Sequence, residues 1–193
     1  NCQYGWTLFV APIEDKYHWA RTAIQLSFTI FLFFETWLVP LEGWGVDKFG
    51  PRPVIIFGAI LSTIGWILCS KASSLGFLYF AQILTGAGAG AVYGTCSGNS
   101  LKWFPDKRGL AAGATAAGFG AGAAVTVIPV ANMINTSGYE QAFFVFGIIQ
   151  GCIITACALF MPRAKLPPGT KAVPRVISSK KNYNPAQIVR EPL

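Results

Sequence analysis

The chain has 193 residues, of which 53% are hydrophobic and only 12% charged, with a mean hydropathy of +0.48. Soluble domains carry about 25% charged residues, so this composition excludes an ordinary soluble enzyme or binding module. The formal net charge of +7 raises the possibility of a nucleic-acid partner. The positions of the basic residues argue against it, because they sit in short links and a tail rather than on one patch.

In chain order, the first apolar stretch, Tyr4 to Pro12, is too short to cross a bilayer. The sequence starts at Asn1 without a basic n-region or a small-residue cleavage site, so it reads as a first helix cut through its middle (residues 1–12) rather than a signal peptide. A second span is predicted over 19–43; its apolar run from Trp19 to Leu41 is broken only by Arg21 and Glu35, and Pro40 and Glu42 punctuate its end. The decapeptide Gly43 to Arg52 follows, with charges of both signs, and is predicted to be a tight loop. Further spans are expected over 54–70, 75–99, 109–133 and 141–162, each near the roughly 20 apolar residues that cross the hydrocarbon core. The predicted fold is therefore an all-α membrane protein, a six-helix bundle over 1–162 whose partner is the lipid bilayer. Residues 163–193 turn Pro-rich, basic and polar and read as a linker. Glycines at 86, 88 and 90, and at 109, 113, 118, 120 and 122, are spaced to let helix backbones approach closely.

Alternating the links between the two sides puts twelve of the basic residues on one side: Lys48, Arg52, Lys102, Lys107, Arg108 and the seven after Met161. Three, Lys16, Arg21 and Lys71, fall on the other. That asymmetry assigns loops 44–53 and 100–108 and the tail 163–193 to the cytoplasm. The cysteines, Cys2, Cys69, Cys96, Cys152 and Cys157, have no metal-ligand spacing, and no metal or cofactor is expected.

Polar residues at membrane depth are costly and usually face a cavity. Gln3, Tyr4, Gln25 and Tyr93 answer this description and could bind a carboxylate, or could simply bond helix to helix. Glu35 is an acid in mid-span, suited to carrying a proton or to pairing within a kinked helix. No Lys or Arg lies deep in any span, so an anion would need cations from elsewhere. An intramembrane serine protease is a competing class, since Thr95-Cys96-Ser97-Gly98 comes near the required motif. The only histidine, His18, is placed in an external link, which leaves the serine without a base. Asn135-Thr136-Ser137 fits a glycosylation sequon.

The pattern Gly43-x-x-x-Asp47-Lys48-x-Gly50-x-Arg52 resembles the signature loop of the major facilitator superfamily. With Trp103-Phe104-Pro105-Asp106-Lys107-Arg108-Gly109 and Gln3-Tyr4-Gly5-Trp6-Thr7-Leu8, the chain is similar to the oxalate/formate antiporter family of bacterial carboxylate exchangers. The resemblance implies the N-terminal half of a twelve-helix transporter in the bacterial inner membrane, working by alternating access against a C-terminal six-helix half. It implies that Gly43, Asp47, Lys48, Gly50 and Arg52, with Asp106, Lys107 and Arg108, form a cytoplasmic conformational latch. The bland alternative is a solvated turn whose charges merely follow topology. It further implies that Gln3, Tyr4, Gln25, Tyr93 and Phe119 line a pocket for oxalate, formate or a similar small organic anion. Phe119 stands where the exchanger has a tyrosine. Gln82 stands where many proton-coupled relatives carry an arginine, which favours exchange over symport. The rival within transporters is a symporter of monocarboxylates or other organic acids.

Overall fold

The computed structural model describes residues 3–161; the expected linker over 163–193 lies outside the described residues. Seven α-helices follow one another: α1 (Thr7–Tyr17), α2 (Arg21–Trp37), α3 (Val39–Phe49), α4 (Pro51–Ser70), α5 (Leu75–Trp103), α6 (Arg108–Ser137) and α7 (Tyr139–Phe160). A 3-10 turn over Pro105–Lys107 separates α5 from α6. By length and composition α4, α5, α6 and α7 can each cross a membrane. The pair α2 and α3, bent by 44° at their junction, passes the same test of length and composition only when the two are taken together.

The principal correction concerns the decapeptide, which is not a loop. Helix α3 runs through Gly43, Gly45 and Asp47 to Phe49, and only Gly50 stands between it and α4. Two glycines cost a helix about 1 kcal/mol each. The helix nonetheless forms, with α3 in contact with α4 and α5. Pro40 likewise does not end a helix. It falls in the first turn of α3, where the missing N–H would have no intrahelical partner anyway, and the break comes just before it at Leu38. Pro51 opens α4 by the same rule. Between these helices Gly50 adopts φ 91° and ψ 171°, and Gly138 joins α6 to α7 with φ 86° and ψ 161°. This region of backbone space is essentially closed to residues with a Cβ. The span expected over 19–43 therefore becomes α2 plus α3, and α5 continues past residue 99 to Trp103.

Two kinds of packing hold the bundle. Toward one end, aromatic rings interlock: Phe9 of α1 stacks on Phe143 of α7 at 3.9 Å, and Trp66 of α4 meets Phe143 edge-on at 5.3 Å. Phe9 and Phe143 are almost wholly buried. At the same end Lys16 of α1 pairs with Glu140 of α7, and its hydrogen bond to that carboxylate holds the Lys16 ammonium above its usual range. Along α4 and α5, the most extensive helix pair, small residues replace rings. A Cβ on Gly88 would lie 2.5 Å from the Gly58 carbonyl oxygen, and one on Gly90 would lie 2.5 Å from that of Glu35. Gly86 abuts the backbone of Phe31 in the same way. Thus Gly86 and Gly90 admit α2, and Gly88 on another face of α5 admits α4. The glycines of α6 behave differently. Around Gly109, Gly113, Gly118, Gly120 and Gly122 a Cβ would meet nothing within 4 Å, so within the described residues they bring no helix close.

Candidate functional site

Five elements converge on a pocket of about 400 Å³. The turn ahead of α1 contributes Gln3 and Tyr4; α2 contributes Leu32, Glu35 and Thr36; α5 contributes Gly90, Tyr93 and Gly94; and α6 contributes Ala116 and Phe119. Val39, at the start of α3, completes the wall. The Phe119 ring sits between two tyrosines, 5.8 Å from Tyr4 and 5.0 Å from Tyr93, centroid to centroid. Gly90 and Gly94 give α5 a thin wall here, and the polar side chains that line the pocket are Gln3, Tyr4, Glu35, Thr36 and Tyr93. Thr36 is already engaged, donating to the Leu32 carbonyl at 2.8 Å.

Four of the five residues predicted for an anion pocket, Gln3, Tyr4, Tyr93 and Phe119, thus share one cavity. Gln25 does not: it lies on α2 seven residues before Leu32, about 10 Å along the helix, and is absent from the lining. Polarity at membrane depth and the family resemblance both point to Gln25, and neither fixes which turn of α2 meets this cavity. Glu35 is a lining residue, 9% exposed. No Lys or Arg is among the residues that line this pocket.

The signature residues gather at one end of the bundle. The Asp47 carboxylate, near the end of α3, lies 3.4 Å from the Lys102 ammonium near the end of α5. The Arg52 guanidinium, at the start of α4, donates through Nε to the Met161 carbonyl just past α7, at 2.5 Å. Lys48 lies over the Trp44 ring at 4.8 Å and the Phe49 ring at 5.3 Å. Asp106 and Lys107 are exposed in the 3-10 turn, and Arg108, also exposed, opens α6. Gly43 faces open space, whereas Gly50 is the buried joint. Lys102 thus brings a basic group of α5 within ion-pair distance of Asp47.

Glu42 is a further acid at this site that the sequence shows only as helix-end punctuation. It stands seven residues after Glu35, two helical turns on, and lies against the same side of α5. That spacing was the available signal; its nearness to Pro40 made it look like helix-end punctuation.

The sequence profile of the Major Facilitator Superfamily matches residues 3–190. The oxalate:formate antiporter of Oxalobacter formigenes is 34% identical over 190 residues, which are 98% of this chain and 45% of that protein. Human monocarboxylate transporter 11 is 30% identical over 129 residues, 66% of this chain and 27% of that protein. A "probable sulfoacetate transporter" of Cupriavidus necator is 28% identical over 139 residues, covering 72% of this chain and 32% of that protein. The chain therefore spans less than half the length of these relatives. With a bundle of this topology and a profile match over nearly its whole length, the chain belongs to the major facilitator superfamily and is multi-pass in a membrane.

Proposed function

We propose that the chain is the N-terminal bundle of a carrier that exchanges small carboxylates, of the oxalate/formate kind, by alternating access. The convergence of Gln3, Tyr4, Tyr93 and Phe119 on one pocket is the observation that carries this reading. Tyrosine hydroxyls and a carboxamide donate to carboxylate oxygens, and Phe119 closes the pocket with an apolar ring. A desolvated anion also needs positive charge. In this reading a second six-helix bundle of the same polypeptide supplies it, facing the pocket from across the substrate. The buried, neutral Gln82 on α5 supports exchange. The basic end, with Lys48, Arg52, Lys102, Lys107 and Arg108, lies on the cytoplasmic side of the plasma membrane by the positive-inside rule. There Asp47 and Lys102 act as the latch, tying α3 to α5 at that end.

Counterflow of labelled oxalate, formate and lactate into proteoliposomes holding the full-length protein tests the reading. Saturable uptake of a carboxylate, accelerated by carboxylate inside, supports it; no stimulation from inside by any of the three overturns it. Phe119→Tyr is expected to lower the KM for oxalate about three- to tenfold, the worth of one added hydrogen bond of about 1 kcal/mol. An unchanged KM would remove Phe119 from the substrate wall.

One observation favours symport of a protonated acid as a second reading. Glu35 lines the pocket, and an ionised carboxylate there would repel an anionic substrate. A pH gradient that drives net uptake with no exchangeable anion inside would select this reading over exchange.

A further inference from the structure

Glu42 projects from α3 onto α5, and both of its carboxylate oxygens are buried without a hydrogen-bond partner among the described residues. A methyl group on Gly90 would lie 2.9 Å from Oε1, and one on Gly94 would lie 3.4 Å from Oε2, so the carboxylate rests on bare helix backbone. That backbone has nothing to donate, because N–H groups in mid-helix are bonded to carbonyls four residues back. Beside Glu42 is a small cavity of about 220 Å³ between α3 and α5, which Thr95 and Asn99 also line. Thr95 is 3% exposed, and its hydroxyl too has no partner. This is unusual for the bundle. Thr85, Thr115 and Thr126 all donate to the carbonyl four residues back, at 2.9, 2.9 and 2.7 Å.

The charged and titratable groups around Glu42 offer no relief. From α2 comes Glu35, an acid. On α3 itself Asp47 lines the cavity, and on α5 Lys102 lines it but is within ion-pair distance of Asp47. Tyr93 of α5 lines the adjoining pocket with Glu35. The α4 residues that share a cavity with Glu42, namely Pro53, Val54, Phe57 and Leu61, are apolar. An ionised carboxylate enclosed without a donor or a cation is costly, whereas a protonated one can donate to a neighbouring oxygen and carries no charge.

We propose that Glu42 is a proton-binding site, with the Thr95 hydroxyl as its hydrogen-bond partner, whose occupancy favours the packing of α3 on α5 and makes transport depend on pH. The site deepens the carrier reading given above and rests on it for the transport consequence alone. When α3 parts from α5 the carboxylate meets water and releases its proton. Low pH therefore holds the packed arrangement and rising pH frees it.

Infrared difference spectra of the purified full-length protein across a pH jump would test this without any transported substrate. The wild type is expected to show a protonated-carboxyl C=O band near neutral pH that Glu42→Gln removes and Thr95→Val shifts. In proteoliposomes the wild-type rate should follow a one-proton profile, changing about tenfold for each unit of pH on its limiting limb. Glu42→Gln should be flat and resemble the wild type at acid pH. If Glu42→Gln fails to fold, Glu42→Asp should keep the band at a new frequency. A band that survives Glu42→Gln, no such band in the wild type, or a signal that follows sodium at constant pH would each overturn the proposal. If no carboxylate is carried but the band behaves as stated, the transport reading fails and the proton site stands.

Discussion

Replacing Gly88 with valine is expected to abolish the folded bundle. Even a single methyl at this position would come within 2.5 Å of the Gly58 carbonyl oxygen and of the Ser62 amide nitrogen. Both are backbone atoms of α4 and cannot rotate aside, so the helices must separate along their most extensive contact. Overpacking of a well-filled core costs about 1–3 kcal/mol when side chains can adjust, and more when backbone must move. The reciprocal contact sharpens the expectation, since a Cβ on Gly58 would lie 2.8 Å from the Gly88 carbonyl oxygen. Size-exclusion chromatography of the detergent-solubilised protein should show loss of the monodisperse peak for Gly88→Val. Gly76→Ala, on the same helix with nothing within 4 Å of its Cβ position, should elute and melt like the wild type or slightly better. A monodisperse, wild-type-like Gly88→Val would refute the glycine-mediated contact between α4 and α5.

The second large effect is on transport rather than folding. Asp47→Asn should leave the melting temperature nearly unchanged, because the Asp47–Lys102 pair is well exposed at both partners and such pairs are worth about 0–1 kcal/mol. The initial rate of anion exchange should fall at least about tenfold, which corresponds to about 1.4 kcal/mol in the barrier between the two access states. Lys102→Gln should show the same division. Two normal rates would leave the pair as a solvated surface contact and remove it as a latch. The pair is suited to this role because it is weak: a contact that must break in every cycle cannot be a strong one.

The membrane class, the order of the spans and the pocket residues Gln3, Tyr4, Tyr93 and Phe119 were legible because each rests on hydropathy or on a motif. The decapeptide was not. Gly43, Gly45 and the charges at 47 and 48 have the local composition of a turn, yet they form helix α3, which contacts α4 and α5. Pro40 was ambiguous for a related reason, since a proline near the end of one helix and a proline in the first turn of the next look alike in sequence. Gln25 lies outside that lining, since neither polarity at depth nor resemblance says which turn of a helix meets a cavity. Glu42 was missed because its meaning depends on Gly90 and Gly94, about fifty residues later. The glycines of α6 were expected to bring helices together, yet within this bundle they face open space.

The one-residue joint at Gly50 has a mechanical consequence. A joint of one residue leaves two soft dihedral angles between α3 and α4. The two helices therefore behave as arms of one crank rather than as elements on a flexible hinge. Helix α4, with 20 residues, is about 30 Å long, so a tilt of about 10° imposed at Gly50 carries its far end about 5 Å. That far end bears Trp66, locked against Phe9 and Phe143. A displacement begun at the Asp47 end is thus delivered as leverage to the opposite surface.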